Sequence, residues 1–167
     1  MATAMFGERV QRLADAKLVR GEGRYIDDIP LEGALHVAFV RSPFARAKIL
    51  SIDCDAAREM DGVAAVYTCD DLGRLDLEMP LLIPHPSLTE PRTQRPLAKG
   101  EVFHVGQTVA MVVAVDRYTA EDAIRMVDVD YEPLEVELDL EAAIQDDAPR
   151  VHADVANNVA AQFVQTV

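Results

Sequence analysis

Four histidines, two cysteines and twenty-nine carboxylates are the side chains here that could bind a metal or move protons, and their spacing argues against most such chemistry. His36, His85, His104 and His152 stand singly, with no pair at i, i+4 to set two imidazoles on one helical face. Cys54 and Cys69 form no CxxC and match no zinc spacing, so both read as ordinary thiols. The phosphate-cradling GxxxxGK[ST] run is absent, and Gly21-Glu22-Gly23 lacks the third glycine and the following helix of a dinucleotide loop. No GxSxG occurs, and neither cysteine has a histidine close by in sequence. Asp27-Asp28, set before Ile29-Pro30, could serve as an acid pair or metal ligand, or make turn hydrogen bonds instead. Those two acids carry the one hydrolytic reading open to the chain. Gly106-Gln107 could present a polar side chain to a site or turn the chain into the next strand.

The elements that would position these groups are short and interleaved. Leu35–Val40, Ala47–Ile52 and Val63–Thr68 alternate or are β-branched and read as strands. Between the second and third, Asp53 is placed to cap a helix running through Met60, which Gly62 would end. Val109–Val115 is apolar on both faces, the pattern of a buried central strand. Thr119 with Asp122 resembles a capping box, and Ala120, Ala123, Ile124 and Val127 make one apolar helical face. Alternation then returns over Val127–Tyr131 and again over Leu134–Leu138. Asp139 can cap a last helix through Gln145, and Val159–Val167 reads as strand-like. Residues 1–28 form an N-terminal arm with a helical turn expected near Glu8–Ala14, and 29–167 form one domain. Two adjacent strands near 127–138 leave no room for a crossover helix, so the class is α+β with mixed or antiparallel pairing.

Five of nine prolines fall between Pro80 and Pro96, where neither helix nor central strand can persist. Long loops of this kind bind or pack onto something, or act as spacers. Arg92, Arg95 and Lys99 give this loop the only basic cluster of the middle region. A chain of 167 residues, half of them hydrophobic, can build a core without metal or disulfide staples. Its net charge of −13 weighs against nucleic acid or anionic membrane as a partner. The start, MATAMFGERVQRL, carries no apolar signal stretch, and the longest apolar run, Val109–Val115, is too short to span a bilayer. A cytoplasmic location is expected. The acidity is local: residues 116–147 hold twelve acids and two arginines, or −10 of the total.

Several stretches, taken in order, go further: Arg20-Gly-Glu-Gly-Arg-Tyr-Ile-Asp-Asp28, His36-Val-Ala-Phe-Val-Arg-Ser-Pro-Phe-Ala-Arg-Ala-Lys-Ile49, Gly62-Val-Ala-Ala-Val-Tyr-Thr68, and Val105-Gly-Gln-Thr-Val-Ala110 running through Ala120-Glu-Asp-Ala123 to Val129-Asp-Tyr-Glu-Pro-Leu134. Their order and spacing resemble the N-terminal α/β-hammerhead domain of the xanthine dehydrogenase, aldehyde oxidase and aerobic carbon monoxide dehydrogenase large subunits. The resemblance runs from about Phe6 to the end. It departs at Phe44 and Arg46, where many relatives carry histidines, and at Gln107-Thr108, where relatives often have Glu-Pro.

That family resemblance implies an α/β-hammerhead fold within a molybdenum hydroxylase. Molybdenum is held by molybdopterin, the oxygen comes from water, and electrons leave through iron–sulfur clusters to FAD, commonly on separate subunits. The family's pterin-contacting segments and general base follow the hammerhead, so no catalytic, cofactor-binding or metal residue transfers to this chain. The implied role is architectural, beside a molybdopterin-binding catalytic lobe, and the isolated chain is not expected to be catalytic. Ser42, Pro43, Arg92, Arg95 and Lys99 are the candidate interface residues, as polar turns expected to be exposed. A free-standing, non-catalytic binding or assembly protein using the same fold is the alternative.

Overall fold

Valine-rich runs alternating in period two need neighbours, and this chain supplies them pairwise. The structure, a computed structural model, describes Gly7 and residues 12–165. It divides into two compact units, Met1–Ala34 and Leu35–Val167. In the first, a single helical turn, α1 (Asp15–Leu18), precedes a 3₁₀ turn at Ile26–Asp28. The helical turn expected near Glu8–Ala14 falls mostly outside the described residues. Asp28 spends a carboxylate oxygen on the Tyr25 backbone N–H at 2.8 Å, the local turn bond that an aspartate makes most readily.

The second unit holds two three-stranded sheets. In one, β5 (Thr108–Ala114) lies between β1 (His36–Arg41) and β3 (Val63–Thr68). In the other, β2 (Ala47–Asp53) lies between β4 (Glu101–Val102) and β6 (Asp128–Pro133). Every pairing between these strands is antiparallel. Ladder partners place Val40, Ala110, Val112 and Val66 on one face of the first sheet. Against that face pack Cys54, Ala57, Ala123 and Val127, contributed by and around α2 (Asp55–Arg58) and α3 (Arg117–Ala123). A second cluster, Ala47, Ala98, Val102 and Val109, is flanked by Phe44, Ile49 and Tyr131, and Ile52 and Val129 touch both clusters. The largest fully buried side chains are valines, Val102, Val109 and Val112. Each contributes about 1.5 kcal/mol of burial, and the alanines between them let helix and sheet approach closely. Gly62 completes the approach: its φ is +86°, and a Cβ there would stand 3.0 Å from a Val115 methyl.

Four expected features differ. The cap of α3 is Asp116, not Thr119: the Asp116 carboxylate accepts the Thr119 N–H at 2.8 Å. Asp116 is extended and sits just outside the helix, which aims its oxygen at the free donors of the first turn. α2 is only one turn, with Cys54 at its cap position, while Asp53 accepts the Asp55 N–H at 3.0 Å. The strand expected over Leu134–Leu138 does not form. Pro133 ends β6, Leu134 donates its N–H to the Arg46 carbonyl at 3.1 Å, and among the described residues no strand pairs with those that follow. Of the expected strand over Val159–Val167, one isolated bridge forms, Ala161 to Leu88, while Thr166 and Val167 lie outside the described residues. The last helix, α4 (Leu140–Ala143), is capped as expected by Asp139, which accepts the Ala142 N–H at 2.8 Å.

Candidate functional site

The chain's most concentrated polar chemistry lies in the proline-rich loop. β3 delivers the chain into a 3₁₀ stretch, Asp70–Leu75, kinked at Gly73 with φ +53°. The kink leads to Asp76, whose side chain is only 11% exposed. Asp76 accepts from Arg95 Nη1 at 2.6 Å, from Lys99 Nζ at 2.5 Å and from the Cys69 thiol at 2.9 Å, and its backbone carbonyl takes a second Arg95 bond at 2.8 Å. The Cys69 thiol and the Lys99 and Arg95 cations hold this carboxyl far below the ordinary aspartate range. Burial first, and then the bond to Asp76, push the Cys69 thiol up to about 11. It is a protonated donor at neutral pH, and no nucleophile.

The same loop is tied to the C-terminal stretch. Arg92 meets Asp154 at 2.5 Å, Thr89 Oγ1 donates to the Val159 carbonyl at 2.6 Å, and Gln162 N–H donates to the Ser87 carbonyl at 2.9 Å. Its two arms are joined where Met79 N–H donates to the Gln94 carbonyl at 2.9 Å and Thr93 Oγ1 donates to the Met79 carbonyl. The loop is therefore held by its own bonds, which the spacer reading does not describe.

Arg95 and Lys99 thus converge on one carboxylate, and Arg92 lies apart on another. Ser42 is buried at 2% exposure, which corrects the expectation of an exposed polar turn. Its hydroxyl closes a local turn, accepting the Phe44 N–H and donating to the Phe44 carbonyl, both at 3.0 Å. Its backbone donates to the Gln107 carbonyl at 2.9 Å and accepts from Gly106 N–H at 2.8 Å. Gly106-Gln107 is thereby the tight turn into β5, with Gly106 at φ +86° and the buried Gln107 side chain accepting the Phe103 N–H at 2.7 Å. Pro43, between these anchors, is exposed.

A cavity of about 390 Å³ opens here, lined among others by Arg92, Arg95, Lys99, Glu101, His104 and His152. Burial, reinforced by the Arg92 charge, pushes His152 below its usual value, and its ring lies 4.4 Å from that of Phe103, tilted by 51°. Each cation of the lining already carries a carboxylate partner, so the cavity is polar yet balanced. Among the described residues no cluster of three His, Cys, Asp or Glu could hold a metal ion. Sequence reasoning missed Asp76 and Asp154. The available signal was indirect: three cations in a strongly acidic chain demand carboxylates.

Two antiparallel sheets joined through short helices and one long loop define the α/β-hammerhead class. The family model described as aldehyde oxidase and xanthine dehydrogenase, a/b hammerhead domain, matches residues 20–135, and the chain belongs to that family. It is 42% identical over 154 residues to the carbon monoxide dehydrogenase large chain of Afipia carboxidovorans, covering 92% of this chain and 18% of that one. It is 43% identical over 141 residues to the nicotine 6-hydroxylase large subunit of Paenarthrobacter nicotinovorans, covering 84% and 17%. Among solved structures, quinoline 2-oxidoreductase from Pseudomonas putida superposes with a TM-score of 0.76 at 38% identity, over 91% of this chain and 19% of that one. The chain spans less than a fifth of the length of these relatives.

Proposed function

We propose that this chain is the hammerhead portion of a molybdenum hydroxylase, an oxidoreductase of the xanthine dehydrogenase type, and that its work is structural. The carrying observation is the pairing of 42% identity over nearly the whole chain with 18% coverage of a carbon monoxide dehydrogenase large chain. The residues present do not fit a molybdopterin site. Arg92, Arg95 and Lys99 are spent on Asp154 and Asp76, and no cluster of ligands is assembled among the described residues. Molybdopterin belongs on a neighbouring catalytic lobe, and the iron–sulfur clusters and FAD on further subunits. In this reading the complex is cytoplasmic; among the described residues, no helix is long and apolar enough to cross a membrane.

The part-exposed guanidinium edges of Arg92 and Arg95, the Lys99 ammonium and Pro43 are the proposed contact points, with Ser42 supporting Pro43 from beneath. Because Asp76 fixes two of these cations, the loop meets a partner already ordered, which lowers the entropy cost of docking. Co-expression with the molybdenum-binding polypeptide and the two smaller subunits tests the reading. The chain is expected to co-purify in stoichiometric amount with molybdenum and pterin, and recovery of the other subunits without it would sink the proposal.

A further inference from the structure

The first sheet has a second face. Cross-strand partners place Val37, Val113 and Ala65 in one row, and Phe39, Met111 and Tyr67 in the next. Six residues on three strands thus form an uninterrupted apolar surface with no charged side chain. It is open: Val37 is 49% exposed, Phe39 36% and Tyr67 37%, while the core cluster around Val66, Ala110 and Val112 uses the opposite face of the sheet. Arg41 stands at its margin, its guanidinium 5.6 Å from the Phe39 ring centre and held by the Gly106 carbonyl at 2.8 Å.

Three strands at ladder spacing give this surface a width of about 14 Å, and two rows, each taking about 7 Å of strand, give a length of about 14 Å, or about 200 Å² of footprint. A stable homodimer needs about 800 Å² from each copy. A second copy would also double a charge of −13 within one particle. The width instead matches one α-helix, about 10–12 Å across with side chains. A helix seated there needs no large footprint of its own if other contacts hold it to the domain, as they do when this fold makes up less than a fifth of a longer polypeptide.

We infer that the Val37/Phe39/Tyr67 face of the first sheet seats one apolar helix of the molybdenum-binding lobe, separately from the proline loop. This rests on the molybdenum hydroxylase reading above. The rows carry no charge and one hydroxyl, that of Tyr67, so apolar contact dominates what they can offer, and covering Phe39 and the Tyr67 ring with an aliphatic helix completes a helix-on-sheet layer.

The test uses the assembled complex. Val37→Asp and Phe39→Asp are compared with Leu50→Asp, which places the same charge on an exposed position of the second sheet. Recovery with the molybdenum-binding polypeptide is expected to fall about tenfold or more for the first two and to stay unchanged for the third. Hydroxyl-radical labelling of the unaltered complex provides a readout independent of folding defects. Tyr67 is expected to react about tenfold more slowly than Tyr118, which is 80% exposed. Wild-type recovery with both face variants retained, and Tyr67 as reactive as its 37% exposure dictates, would overturn the docking and leave the family reading intact. A wild-type chain that never joins a molybdenum-binding polypeptide would remove the reading and the docking with it. Sedimentation showing a dimer that Phe39→Asp abolishes would give the face to a second copy and overturn the inference.

Discussion

The bare face of the β1-β5-β3 sheet carries Val37, Phe39, Met111, Val113, Ala65 and Tyr67, whereas that of the β4-β2-β6 sheet carries Lys48, Asp53, Asp128, Asp130 and Glu132. Both are three-stranded and antiparallel, and each packs its other face against a buried cluster, the two clusters meeting at Ile52 and Val129. Alternation along β6 puts its acids on the side away from the core, among them Asp128, which faces Asp53 across the ladder. Like charges placed opposite one another cost stability and persist only where water screens them. The second face is built to stay wet. The first is apolar enough to be covered, and of the twelve acids in residues 116–147 only Asp128, Asp130 and Glu132 stand on the wet face.

The largest expected effect comes from moving charge across the first sheet. Val112 is fully buried and Val37 half exposed, on opposite faces of neighbouring strands. Val112→Asp buries an unpaired carboxylate and is expected to cost more than about 4 kcal/mol, leaving the chain unfolded. Val37→Asp is expected to cost about 1 kcal/mol, a difference of β-propensity at an edge. Circular dichroism melts of the two variants measure it. Equal destabilisation would mean that the first sheet has two buried faces and would erase the contrast between the sheets.

A third arrangement of charge lies between those two, at Asp76, where the carboxylate is neither solvated like Asp130 nor excluded like a charge at Val112. Cys69, Lys99 and Arg95 bond it from three directions. Its folded-state pKa is depressed below the unfolded value of about 3.9, so its stabilisation is fully present above that pH and is lost as the pH falls further. Asp76→Asn is therefore expected to lower the melting temperature by several degrees at pH 7, and by progressively less as pH drops below about 4. It is also expected to lower the Cys69 pKa from about 11, since the carboxylate charge helps raise it. Paired melts at pH 7 and pH 3, with thiol alkylation rates, report both. A deficit independent of pH would show that the carboxylate acts by shape alone.

The sheets were legible in the chain because their signal is local. β1, β2, β3 and β5 stand within a residue of where alternation and β-branching put them, and Asp139 caps α4 because its neighbours alone decide it. Where structure depends on a distant partner, the pattern misleads. Leu134–Leu138 alternates as well as β6 does, yet no strand among the described residues pairs with it. Ser42 looks like a surface turn until the Gly106 turn closes over its backbone. Asp76 draws its partners from positions 69, 95 and 99, a spacing that no periodicity encodes. The bare apolar face escapes for the opposite reason. A run apolar on both sides, such as Val109–Val115, reads as buried on both sides, but Met111 and Val113 are only half buried, and neither joins a buried core cluster among the described residues.

The smallest expected effect sits on the wet face and bounds the comparison from below. Lys48 and Glu132 face each other across the ladder at 3.1 Å with both side chains about half exposed, at 52% and 51%. An exposed pair of this kind contributes about 0.2–1 kcal/mol, because water screens the attraction and two long side chains must be held in place. Lys48→Met is expected to cost no more than about 0.5 kcal/mol, and the difference should vanish as salt rises from low ionic strength to about 1 M, where the screening length shrinks to about 3 Å. The same substitution removes the one cation among Asp53, Asp128, Asp130 and Glu132, so any residual loss at high salt would measure packing of the lysine stem over β6 and not charge. A salt-independent loss as large as that from Val37→Asp would place the second face among surfaces that need covering, and the two sheets would no longer differ in kind.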